Sequence, residues 1–109
     1  MSDDRGPLGT RLRVGTVVSC RLNENARKPA YVLEIDLGPE GHRTSSAQLT
    51  ARYDIEDLLG RRVVVATDLG TRRIAGILSE VLVLGVTANS GETILLEVDG
   101  DAPNGRLVH

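Results

Sequence analysis

From Tyr31 to Leu37 apolar and polar side chains alternate without a break: Tyr31, Leu33, Ile35 and Leu37 fall on one face, Val32, Glu34 and Asp36 on the other. A period of two belongs to a strand buried on one side only. Gly38-Pro39-Glu40-Gly41 follows, a run whose glycines and proline set turn dihedrals, so a hairpin returns through His42 to Leu49. The same pattern recurs along the chain. Leu12–Leu22 alternates moderately around Gly15, and a glycine inside a strand marks a bulge or a barrel corner. Arg62–Thr67 is β-branched, and the apolar run Val81–Val86 reads as one buried strand. Asn89-Ser90-Gly91 turns the chain back into Glu92–Val98, and Asn104-Gly105 makes a last turn before Arg106-Leu107-Val108. Asp54–Gly60 is the one helix-like segment, with Asp54 as N-cap and Gly60 as stop. Many short strands with one short helix near mid-chain define an all-β fold, a small closed barrel. Residues 1–11 read as a loose lead-in and residues 12–109 as the domain.

A chain of 109 residues holds one domain of this kind. Cys20 is the single cysteine, so no internal disulfide forms. Its neighbours Val17, Val18 and Leu22 favour a reduced, structural thiol. No apolar run reaches the roughly 18 residues of a membrane span, and Met1–Pro7 is acidic without a secretory pattern; the expected setting is the cytoplasm, with no membrane insertion. The net charge of −2 argues against indiscriminate coating of nucleic acid. Its distribution is uneven: residues 1–73 carry twelve bases against ten acids, residues 74–109 one against five. An anion-binding patch must therefore draw on the first two-thirds of the chain. Tyr31 and Tyr53 are the only aromatic residues. The chain lacks the row of stacking platforms on which generic single-strand binders hold successive bases.

Five groups of residues carry chemistry. Ser45, Ser46 and Gln48 stand at the expected end of a strand, where their polar groups either bond phosphate, ribose or a base edge or cap their own backbone. Arg72 and Arg73 follow Asp68-Leu69-Gly70-Thr71, a loop by composition, and are either anion ligands or a solvated surface. Ser79-Glu80 leads into the apolar run; Glu80 accepts from a base amino or ribose hydroxyl, or orients Arg73 through a charge-assisted bond, and the second option is preferred. Arg27-Lys28-Pro29 is basic and stiffened by proline. Leu69, Ile74, Ile77 and Leu78 form a broken apolar group that either fills core or contacts an apolar ligand. His42 and His109 are far apart and suggest no metal pair, and no nucleophile triad, phosphate loop or paired-carboxylate setting occurs. Neither an enzyme nor a cofactor or metal is expected.

The run from Arg72 to Gly85, together with Ser45-Ser46-Ala47-Gln48 and Ala26-Arg27-Lys28-Pro29-Ala30-Tyr31, resembles the CsaA family over about Leu12 to Leu107. Those proteins are small stand-alone relatives of the tRNA-binding oligonucleotide/oligosaccharide-binding (OB) domain appended to some aminoacyl-tRNA synthetases. The resemblance implies an OB-fold β-barrel, a homodimer joined near residues 8–15 and 94–108, and a role in binding structured RNA such as tRNA, unfolded polypeptide before export, or both. It implies RNA contacts at Arg27, Lys28, Ser45, Ser46, Gln48, Arg72, Arg73, Ser79 and Glu80, and peptide contacts at Leu69, Ile74, Ile77 and Leu78. Gly70 and Thr71 stand where the family carries prolines, and Phe and Met are missing from the apolar group. The rival reading is a protein–protein interaction or structural subunit that binds no RNA.

Overall fold

The structure, a computed structural model, describes residues 9–109. The first eight residues of the expected lead-in, and the start of the expected dimer segment at residue 8, lie outside the described residues. Five strands form one antiparallel sheet in the order β3-β2-β1-β4-β7: β1 Leu12–Leu22, β2 Tyr31–Asp36, β3 His42–Ala47, β4 Arg62–Ala66 and β7 Leu82–Val83. Two hairpins complete the fold, β5 Arg72–Ile74 with β6 Ile77–Ser79 and β8 Gly85–Thr87 with β9 Thr93–Leu95. The one α-helix among the described residues, α1 Ile55–Leu58, is short, as expected; the Asp57 carboxylate accepts the Asp54 N–H at 2.9 Å, and Leu58 is driven into the core. This is the OB-type barrel.

The long strand β1 serves two neighbours. Its first half pairs with β4, Leu12 to Thr16 against Ala66 to Arg62, and its second half with β2. The exchange happens at a corner where Gly15 lies so close to β2 that a Cβ would sit 2.4 Å from Ile35 Cγ2; the register shifts between Val17 and Ser19, a bulge that bends the strand. The expectation of a corner or bulge at Gly15 is met. The alternation in β2 is also met: Leu33, Ile35 and Leu37 join Val17, Val63 and Val65 in the barrel interior, each 1% exposed or less. Both tyrosines are buried with their hydroxyls occupied. Tyr31 Oη donates to the Tyr53 carbonyl at 2.8 Å, and Tyr53 Oη accepts the Leu95 N–H at 3.1 Å. Burial, reinforced by Cys20, Asp54 and Asp57, holds the Tyr31 hydroxyl above its ordinary pKa. Cys20 packs against this core opposite Leu33, and burial pushes its thiol up, as suits an unreactive side chain.

Two expectations are corrected. Val81–Val86 is not one buried strand. Val81 is buried, but Leu82 and Val86 are 50% and 54% exposed. The run changes partner at its middle: the Leu84 N–H still reaches the Val64 carbonyl at 2.9 Å, whereas Gly85 already stands opposite Leu95. A Cβ at Gly85 would lie 2.6 Å from the Ile94 carbonyl oxygen, so glycine lets the two backbones approach there. The second correction concerns Arg72 and Arg73. They belong to a strand, the first limb of a short arm whose two-residue turn, Ala75-Gly76, has positive φ at both positions (47° and 82°). That is the geometry of the primed turns that suit hairpin twist.

A groove over the third strand

Three elements meet around β3: the loop of residues 23–30 between β1 and β2, the arm β5–β6, and the start of β7. Between them lies a branched groove. One hollow of about 410 Å³ runs beside the arm, walled by Ser46, Leu69, Arg72, Ile74, Ser79 and Leu82. A second of about 380 Å³ opens toward the loop, with Arg27, Lys28, Ser46, Gln48, Ile74 and Ala75. A third of about 190 Å³ continues past Ser46 and Gln48 to Leu82 and Thr93. Ser46 borders all three. In OB barrels the face of strands 2 and 3, flanked by the loops after strands 1 and 4, is where oligonucleotides bind.

The residues expected to act together are sorted by strand parity. Arg72 and Ile74 share one face of the arm with Ile77 and Ser79, because directly paired residues point the same way. Arg73 and Leu78 occupy the opposite face. Arg27, Lys28, Ser46, Gln48, Arg72, Ser79, Leu69 and Ile74 border the groove; Arg73 does not. Leu78, on the opposite face, and Ile77, despite its parity with Ile74, border a separate hollow with Ser19, Arg21 and Glu34, so the expected apolar group is divided between two hollows. Ser45 is removed from the surface altogether. It pairs with Leu33 in the inward row of the sheet, is fully buried, and its hydroxyl has no partner. One residue of register separates it from Ser46, and in a strand that reverses the face.

Ser79 and Glu80 have a different employment from the one expected. The Ser79 hydroxyl accepts the Ser46 N–H at 3.1 Å and donates to the Val81 carbonyl at 3.3 Å. Glu80 Oε1 accepts the Thr44 N–H at 3.0 Å, while the Glu80 N–H donates to the Thr44 carbonyl at 2.7 Å. The carboxylate is therefore engaged by backbone, and Arg73 forms no ion pair among the described residues; the orientation of Arg73 by Glu80 is overturned. Three of these bonds, to Ser46 N–H, Thr44 N–H and the Thr44 carbonyl, close the seam between β3 and the far end of the arm, where the sheet has no ladder.

Charge is distributed to match. Away from the groove Arg52, Arg61 and Arg62 lie 3.1–3.4 Å from Glu92, Glu97 and Asp101. Arg27, Lys28 and Arg72 have no carboxylate partner among the described residues, so the groove keeps uncompensated positive charge. Leu82, 50% exposed beside Arg72, is a groove residue that the apolar composition of Val81–Val86 conceals. The Ala75-Gly76 turn was legible, since a small residue before glycine between paired strands is a primed-turn signal.

A barrel with this cleft, polar strand centre and unpaired cations defines an OB-type nucleic-acid-binding domain. The family described as "Putative tRNA binding domain" matches residues 12–107, and the chain belongs to that family. Over its whole length it superposes on chaperone CsaA from Bacillus anthracis (TM-score 0.89, 41% identity, 99% of that chain covered). The CsaA chaperone protein of Picrophilus torridus matches over both full lengths, with TM-score 0.87 and 33% identity; the chain is a CsaA-type member of the family. Among curated relatives, methionine–tRNA ligase 1 of Sorangium cellulosum is 39% identical over 99 residues, and that of Flavobacterium johnsoniae 31% over 98. Each match covers 90% of this chain, which spans only 14% of those ligases. Among the described residues no helix is long and apolar enough to cross a membrane.

Proposed function

We propose that this protein is a non-catalytic binding module that takes structured RNA, tRNA foremost, in the groove over β3. The observation that carries this reading is the convergence of Arg27, Lys28 and Arg72, all without carboxylate partners among the described residues, on a groove bordered by Ser46 and Gln48. Guanidinium and ammonium groups so disposed contact phosphates, while the hydroxyl and carboxamide suit ribose and base edges. With no aromatic platform in the groove, recognition rests on backbone and shape. Filter binding of tRNA at several salt concentrations tests it: three phosphate contacts give a slope of log affinity against log salt near −2 to −3. A flat salt response, or equal retention of unstructured RNA, contradicts it.

A second ligand, unfolded polypeptide, is favoured by one specific observation. Leu69, Ile74 and Leu82 are 58%, 40% and 50% exposed in the walls of the same groove. Two ligands of one groove exclude each other, so tRNA is expected to displace a reporter polypeptide; simultaneous binding rejects the shared site. The expected two-fold dimer through the chain ends fits the half-exposed Leu107 beside β1, and light scattering that reports the mass of one chain at micromolar concentration excludes it. The cytoplasm is the compartment in which these ligands meet.

A further inference from the structure

Ser46 sits at the meeting point of all three hollows, yet nothing on its own strand fixes its position against the arm. The outer edge of β3 carries the Thr44 and Ser46 N–H groups, which point away from β2 and have no neighbouring ladder. Unmet, such groups cost about as much as a lost hydrogen bond and leave an edge free to shift. Both are met by side chains of consecutive residues, Ser46 by Ser79 Oγ and Thr44 by Glu80 Oε1. Glu80 itself borders none of the three hollows. A carboxylate placed beside a cationic groove repels the phosphates that groove attracts, unless its work is done elsewhere.

We infer that Glu80 is a positioning residue for RNA binding: it latches β3 to the arm through the Thr44 N–H and so holds Ser46 and Gln48 opposite Arg72, without touching the ligand. The inference rests on the groove being the RNA site. The latch also guards register, because a slip of one residue would turn Ser45 outward and Ser46 into the barrel.

Three variants separate reach from charge. Glu80→Gln keeps a carbonyl oxygen at the same reach, Glu80→Asp keeps the charge one methylene short, and Glu80→Ala removes both. If the carboxylate acts through Thr44, Glu80→Gln binds tRNA within about twofold of the parent, while Glu80→Ala loses about three- to tenfold and Glu80→Asp falls between. The salt slope stays unchanged in all three, since no phosphate contact is removed. Amide hydrogen exchange, measured without RNA, speeds up at Thr44 and Ser46 in Glu80→Ala and Glu80→Asp but not in Glu80→Gln. If Glu80→Ala fails to fold, the contrast of Glu80→Gln with Glu80→Asp carries the test. Faster exchange with unchanged tRNA affinity makes Glu80 merely structural and overturns the proposal. Loss of binding in Glu80→Gln with parental exchange means that the carboxylate touches RNA, and overturns it too. A parent protein that does not retain tRNA instead removes the reading of the groove and the coupling with it, while the exchange data still report whether the latch exists.

Discussion

β1 and β3 are both strands of the same barrel, but their edges are finished by different means. β1 is laddered to β2 on one side and β4 on the other, and the last residues of the chain add the Arg13–Leu107 bridge. β3 is laddered only to β2; on its other side two side chains, with the backbone bond from the Glu80 N–H to the Thr44 carbonyl, do the work. Backbone ladders are indifferent to most substitutions and leave no room beside them. A seam closed largely by side chains depends on two particular residues, and it leaves the strand's outer face open as the floor of a groove. The ladder side is built for stability and the seam side for contact.

Substitutions can break that division. The largest effect is expected on the ladder side. Gly105 has φ of +86°, and a Cβ there would lie 2.3 Å from the Leu37 carbonyl oxygen. Gly105→Ala should cost about 2–3 kcal/mol of unfolding free energy in urea, from the left-handed backbone and the clash together, with tRNA binding by the folded fraction unchanged. A loss of binding at parental stability would show that the two sides are not separable. On the seam side Arg72→Ala should weaken tRNA binding about tenfold and reduce the salt slope by about one. Arg73→Ala, on the far face of the same arm, should do less, and the reverse order in filter binding would move the RNA to the other face. Smallest is Ser45→Ala. Removing a buried hydroxyl that has no partner should raise stability by about 1 kcal/mol and leave tRNA binding alone. Weakened binding there would mean that β3 presents its inner face.

Period-two patterning and turn chemistry were enough to read the barrel: β2 alternates because one face is core, and Gly15 marks the corner because only glycine fits against Ile35. What the sequence concealed depends on single-residue register and on partner exchange. Ser45 and Ser46 have the same chemistry one step apart, and only pairing with Leu33 or Val32 decides which is buried. Likewise Arg72 and Arg73 are told apart only by the turn at Ala75-Gly76. Val81–Val86 reads as a core strand because its composition is apolar, yet it leaves β4 midway to join β9. The resemblance singles out the Ser-Glu pair as RNA contacts, whereas the partner of the Glu80 carboxylate in the fold is the Thr44 backbone amide, far off in sequence.

The Val108 N–H donates to the Leu12 carbonyl at 2.8 Å, so the path that enters the barrel and the path that leaves it run side by side along one strand. A domain wired in this way resembles an appliance with both leads at one socket. It can be plugged onto the end of a longer polypeptide, or spliced into a surface loop of one, with little disturbance to the host's own folding. Its groove would stay available in either setting. The occurrence of the same domain as a small fraction of much longer ligases is what such wiring makes easy.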